Sequence, residues 1–181
     1  MQTPKVIGTI VFALTLSAAS CGGSGSEVQK NPGNVKEAEK IAAEDRASGP
    51  MPENAFKALI TVPDPPVSLQ PDQKVTIKVK VKNVGNAPWP SHGRASDGFF
   101  QVNLGNMWYD SKNSRIEKNA YIRSGLPSNV RPGDEVEVPL TITAPSMPGD
   151  YTLQVDLVQE MVAWFAEKGS VAPKFKVKVG G

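Results

Sequence analysis

From Ala55 onward, apolar and polar side chains alternate along the chain. In "KVTIKVKVKN", Val75, Ile77, Val79 and Val81 fall on one side and Thr76, Lys78, Lys80 and Lys82 on the other. Successive side chains of a strand point to opposite faces, so this pattern predicts a strand with one buried side. "EVEVPLTIT" repeats it, with Val136, Val138, Leu140 and Ile142 inward. "YTLQVDL" sends Tyr151, Leu153, Val155 and Leu157 inward, and "KFKVKV" sends Phe175, Val177 and Val179. "AFKALITV", around Phe56, reads as a first strand. "FFQVNLGNMWYD" is less regular. Phe100, Val102 and Leu104 alternate, and Gly105-Asn106 then reads as a bulge or bend. Pro139 lies inside its run and cannot donate to a ladder, which predicts an edge or bulged position. Lys174, Lys176 and Lys178 read as a solvated face that also protects an edge.

Turn signals separate these runs: "NVGNAP", "LPSNVRPGD", "APSMPGD" and "EKGSVAP". Short strands between such turns predict an all-β fold, an antiparallel β-sandwich over residues 55–181. The stretch "DLVQEMVAWFAEKG" leaves two phases open. If Gln159, Met161 and Ala163 stay inward, Trp164 faces out; if Glu160-Met161 forms a bulge, Trp164 packs inward.

The first part of the chain obeys different rules. Lys5 precedes an apolar run, then Ser17-Ala18-Ala19-Ser20 leads into Cys21, the single cysteine. That order is the layout of a secretory signal peptide over residues 1–20. "LSAASC" resembles a bacterial lipobox, which implies a diacylglycerol on the Cys21 thiol. A bilayer is held stably by two or more acyl chains. Residues 21–54 then read as lipidated cysteine and tether. "GGSGS" is flexible and "NVKEAEKIAAEDRAS" is a marginal helix. A flexible tether of this length reaches about 30 Å. The expected location is the bacterial cell envelope, extracytoplasmic. Gly22 stands where an aspartate retains many such proteins at the inner membrane, so an outer membrane is open to it.

Composition removes several function classes. The 20 Lys and Arg nearly balance 18 Asp and Glu, which gives no basic surface for nucleic acid. His92, in "PSHGR", is the single histidine, whereas a metal site needs clustered ligands. No nucleophile triad, phosphate loop or H-E-x-x-H pattern is present. Asp97, Asp110, Glu117 and Glu160 are carboxylates from which nothing selects a catalytic pair. The chain is therefore read as no enzyme, with no cofactor and no metal.

"KNVGNAPWP", "VRPGDEVEVPLTITAPSMPGDYTLQVDLV" and "VAWFAEKG", in that order, resemble a bacterial immunoglobulin-like module. The pattern is similar to the Trp-rich immunoglobulin-like domain of an autophagy receptor. It is also similar to modules attached to bacterial glycosyltransferases, methyltransferases and surface-polysaccharide proteins. The resemblance spans about residues 67–179 and implies an immunoglobulin-like sandwich. Within it, Asn83 and Gly85 suit a sharp turn in which glycine permits positive φ. Trp89 is expected to plug one end of the sandwich, and Trp108 to lie on the core face. Tyr151, after Pro148-Gly149, is expected to bond backbone through its hydroxyl. The related modules carry an aromatic pair where Trp164 and Phe165 stand, which implies packing.

The competing expectation is a ligand platform. Trp89, Trp164 and Phe165 would stack on sugar rings, while Asn103, Asn106, Gln159 or Glu160 bind hydroxyls. Loop residues Arg94, Asp97, Arg115 and Arg123 are further polar candidates. The function expected is a non-catalytic, membrane-anchored binding or scaffolding lipoprotein. It presents its domain to envelope protein or polysaccharide. A dedicated carbohydrate-binding module is the alternative and an envelope hydrolase the third reading.

Overall fold

The computed structural model describes residues 46–116 and 122–180. The expected signal peptide, Cys21, most of the expected tether and Glu117 lie outside the described residues.

The alternating runs become the strands they predict. Among the described residues, ten strands succeed one another in chain order: β1 (Ala58–Thr61), β2 (Ser68–Leu69), β3 (Lys74–Asn83), β4 (Val102–Tyr109), β5 (Arg115–Ile116), β6 (Arg123–Gly125), β7 (Glu135–Thr143), β8 (Gly149–Gln159), β9 (Ala163–Trp164) and β10 (Lys174–Val179). Three of them form one sheet in the order β1-β3-β7. The other seven form a second sheet, β2-β10-β8-β4-β5, with β6 beside β4 and β9 beside β8. All pairings are antiparallel except that of β2 with β10. The chain thus begins in one sheet with β1 and crosses to the other with β2. This division of strands between two facing sheets is the immunoglobulin-like arrangement. The fold is an immunoglobulin-like β-sandwich.

Inward positions of both sheets meet in one core. Val79, Val81, Val138, Leu140 and Ile142 from the first sheet face Leu104, Trp108, Leu153, Val155 and Leu157 from the second. Each large aliphatic side chain so buried stabilises the fold by about 1.5–3 kcal/mol relative to exposure. At the corner before β8, the Tyr151 hydroxyl donates to the Met147 carbonyl at 2.9 Å. Its ring meets Trp108 edge-on, centroids 6.4 Å apart. A tyrosine bonded in this way at the entry to this strand is a recurrent feature of immunoglobulin-like sandwiches.

Several local expectations change. Gly105-Asn106 makes no bulge. The β4–β8 register runs unbroken from Val102 opposite Gln159 to Tyr109 opposite Thr152. Gly105 is glycine for another reason: a Cβ there would lie 2.9 Å from Arg123 Nη1 and 3.0 Å from Trp164 Cη2. Gly85 likewise has no positive φ. A Cβ at Gly85 would meet the Ala55 carbonyl oxygen at 2.7 Å, so close approach excludes a side chain. Pro139 sits on β7, the edge of the three-stranded sheet, in regular register with Lys78. The last strand, β10, is not an outer edge along its whole length. Its end pairs with β2 through Lys178 and Val179.

Among the described residues, part of the segment before residue 55 also contacts the sandwich, and Arg46 bridges to His92. Ala47 is buried, and its N–H donates to the His92 carbonyl at 3.0 Å. The fully buried Gln159 holds the same segment, accepting from the Met51 N–H at 2.9 Å and donating to the Gly49 carbonyl at 3.1 Å. A buried side-chain amide must find partners, and Gln159 finds them in the chain that precedes β1.

Candidate functional site

The chain reverses directly after β8. The Val162 N–H donates to the Gln159 carbonyl at 3.0 Å, and Met161 at the tip has φ 63°. Positive φ at the third residue of a four-residue turn is the mark of a type II turn. The reversal lays Trp164 opposite Val158 and Ala163 opposite Gln159. Val158 lies between the inward residues Leu157 and Gln159, so it and Trp164 occupy the outer face of the larger sheet. Phe165, one residue on, turns into the sandwich. The first of the two expected phases, with Gln159 and Ala163 inward and Trp164 on the outward face, holds for those residues, but not by the strand running on through Met161. The strand ends in a tight hairpin, and its two aromatics go to opposite sides of the same sheet.

Phe165 is fully buried. Its ring meets Trp89 edge-on at 5.2 Å and Phe56 at 5.1 Å. Trp89 is also fully buried, and its indole N–H donates to the Ala55 carbonyl at 2.8 Å. Asn83 ties the same end together by donating to the Ala87 and Val130 carbonyls at 2.9 and 2.8 Å. Its own side-chain oxygen accepts from the Gly85 N–H at 2.9 Å. Trp89 and Phe165 therefore have no face free for a sugar ring, because both plug the end of the core. Trp164, 9% exposed, packs on Met107 and Val158.

Trp164 is held by a polar cluster. The Arg123 guanidinium lies 4.5 Å from the centre of its ring. Arg123 Nε donates to Glu160 Oε1 at 3.1 Å, and Asn103 Nδ2 donates to the same oxygen at 2.9 Å. Glu160, Asn103 and Arg123 are thus brought together, but as supports for one another and for Trp164. Gly105 is the floor beneath the stacked pair.

Beside this cluster is a recess of about 290 Å³. Met107, Tyr109, Gln154, Asp156, Trp164 and Glu167 line it, with the exposed Arg115. Asp156 is fully buried at its base. Its Oδ1 accepts from the Leu157 N–H at 2.8 Å and its Oδ2 from the Ala166 N–H at 3.1 Å. Burial pushes its carboxyl up from 3.8 to about 7; the two backbone bonds oppose that rise and the nearby Glu167 charge adds to it. Glu167 itself accepts from the Trp164 N–H at 3.0 Å. Gln154 is 5% exposed and its side chain has no hydrogen-bond partner among the described residues. Among the described residues there is no group of three His, Cys, Asp or Glu placed to hold a metal ion.

The remaining candidates lie elsewhere. Arg94, in the loop before β4, sits 5.6 Å from the Phe100 ring, and Asp97 accepts from the Phe99 N–H at 2.9 Å. Asn106 points into the core, fully buried, with neither side-chain atom partnered. Trp108 is buried in the core with its indole N–H unpartnered. Gln154, Asp156 and Glu167 are residues that sequence reasoning missed. An outward carboxylate between inward valine and leucine looks like ordinary solvation. The signal available was the apolar Met107 and Val158 at outward positions, which imply that something covers this face.

No protein-family model matches the sequence, and no curated protein matches it. Among solved structures, the chain is similar to the CARDB domain of a Pyrococcus furiosus protein, at 15% identity and TM-score 0.39, over 68% of this chain and 92% of that one. It is also similar to a β-glucosidase from Listeria innocua solved with glucose, at 14% identity and TM-score 0.42, over 69% of this chain. The matched region is 16% of that enzyme. The sporulation control protein of Bacillus subtilis matches at 15% identity and TM-score 0.37, over 69% of this chain and 49% of that one. Likenesses at these identities concern the fold and say nothing of a ligand.

Proposed function

We propose that this protein is a non-catalytic binding or scaffolding lipoprotein of the bacterial envelope, anchored through Cys21. It presents the outer face of its larger sheet to an envelope protein. The observation that carries this reading is the recess bounded by Trp164, Tyr109 and Asp156. Met107, Tyr109 and Trp164 give it apolar surface, and Arg115, Gln154, Asp156 and Glu167 bring polar groups to the same place in about equal measure. The smaller sheet also carries a hollow, of about 440 Å³, beside Pro63, Asp64 and Pro66, but its polar lining residues Asp64, Thr76, Lys78 and Glu137 all stand in solvent, whereas the recess on the larger sheet has the buried Gln154 and Asp156 at its base. The polysaccharide-stacking alternative loses its platform, because Trp89 and Phe165 are fully buried.

Retention of envelope components by the acylated full-length chain tests the proposal. Gln154→Arg, which fills the recess, should abolish retention of a protein partner, whereas Lys80→Glu on the opposite face should leave it intact. Equal retention by both variants would defeat the reading. So would a retained component that is glycan and resists protease.

A further inference from the structure

We propose that the recess on the outer face of the larger sheet is a receptor for a cationic side chain, a lysine ammonium or arginine guanidinium, presented by a partner protein. The assignment deepens the binding role proposed above and rests on it.

Three independent features of the recess point to this chemistry. The first is charge. Asp156 and Glu167 both line the cavity, and neither forms an ion pair within the described residues. Their existing bonds come from backbone N–H groups, Leu157 and Ala166 for Asp156 and Trp164 for Glu167. Carboxylates accept several hydrogen bonds each, so the exposed Glu167 retains acceptor capacity for an incoming donor, while the fully buried Asp156 contributes its charge at the base. The second is Gln154. The residue is 5% exposed, lines the same cavity, and its amide has no hydrogen-bond partner among the described residues. Its donors and acceptor are therefore open to a ligand that enters the recess. The third is the walls. Met107, Tyr109 and Trp164 surround the polar base with apolar surface. Lysine and arginine bury their methylene stems along such surface while the charged head finds oxygen.

The sheet explains how these groups converge. Gln154 stands opposite Met107 on one side and Lys174 on the other, and Asp156 stands opposite Gly105. All are outward positions of their strands. Because Gly105 has no side chain, Trp164 folds down over it, and the chain beyond Trp164 brings Glu167 and the Ala166 N–H to Asp156. The charged and titratable groups around the carboxyl are Glu167 after β9, Arg115 on β5 and Tyr109 on β4. Further out, Lys174 on β10 lies over the Tyr109 ring at 5.5 Å and Arg123 on β6 lies over Trp164. Both aromatic faces already carry a cation of the protein's own, so the acceptor oxygens rather than the rings would supply the attraction.

The test is an NMR titration of the full-length acylated chain in micelles, tracking the Trp164 indole N–H. The probes are n-butylammonium and Nα-acetyl-lysine methylamide, with n-butanol and butyrate as neutral and anionic counterparts. Both cations should give a saturable shift, and butanol and butyrate none. Glu167→Gln and Gln154→Leu should each weaken cation binding on the order of tenfold, the loss expected for one charge-assisted hydrogen bond. Both leave the core untouched, so the result does not depend on whether Asp156→Asn folds. Affinity should also rise with pH through about 7, where Asp156 gains its charge. Equal shifts from butanol, or unchanged affinity in both variants, would overturn the assignment. Cation binding without retention of any envelope protein would sustain the receptor chemistry and refute the scaffolding role. Retention that survives Glu167→Gln and Gln154→Leu would do the opposite.

Discussion

The two outer faces of the sandwich obey different rules. On the smaller sheet, every second residue of β3 and β7 is buried apart from the half-buried Val75 and Val136, and most residues between them are exposed. Its outward contacts are light: Thr76 and Thr141 share a hydrogen bond at 2.9 Å, and Lys78 lies 3.6 Å from Glu137. On the larger sheet, β4 is buried from Val102 to Trp108 and β8 from Leu153 to Gln159, inward and outward residues alike. The difference comes from the segment after β8. The hairpin at Met161 folds Trp164 back over the sheet and carries Glu167 with it, while Arg123 closes over the indole. A sheet covered on one side shows alternation, and a sheet covered on both loses it.

Substitutions across this divide should differ widely. Phe165→Ala, at the junction of Trp89 and Phe56, should cost about 3–5 kcal/mol of stability in denaturant titration. Lys80→Ala on the exposed face should stay within about 0.5 kcal/mol. A comparable loss at both sites would erase the contrast.

The next effect is pH-dependent. The Asp156 carboxyl is raised in the folded protein from 3.8 to about 7. The folded state therefore holds a proton that the unfolded chain releases between those values. The resulting stabilisation is full below the unfolded pKa and is lost as pH rises through about 7. Asp156→Asn should flatten this part of the stability profile. A profile identical to wild type would remove Asp156 as its source.

Gly105→Ala should destabilise by about 1–3 kcal/mol, the usual range for overpacking. It should also change Trp164 fluorescence, because the added methyl meets the indole. An unchanged spectrum would mean that the outer layer is looser than its contacts imply. The smallest effect is expected at Met161, exposed and at φ 63°. Met161→Asn should stabilise by less than about 1 kcal/mol in the same denaturant titration, since asparagine tolerates the left-handed region better.

Much of this was legible from side-chain order. Period-two runs located β3, β7, β8 and β10, and the proline on β7 marked an edge because its nitrogen cannot join a ladder. The motif around Asn83, Gly85 and Trp89 was visible, although the reason for Gly85 was not: the obstacle is the Ala55 carbonyl, distant along the chain. Gly105 eludes a local reading for the same reason, since the indole that forbids a side chain there arrives from a segment more than fifty residues later.

Local pattern by itself determined which residues of the long strands face the core, because strand geometry ties side-chain direction to position in the chain, while the short strands β2, β5, β6 and β9 left no such pattern. Tertiary structure alone decided that Trp164 covers the outer face while Phe165 enters the core, and that Gln154, Asp156 and Glu167 share one recess. Those outcomes depend on a reversal at Met161 and on the strand that lies opposite. A one-residue change of phase moves a side chain to the other face of a sheet, and neither the turn nor the neighbour is encoded in the period of the strand itself.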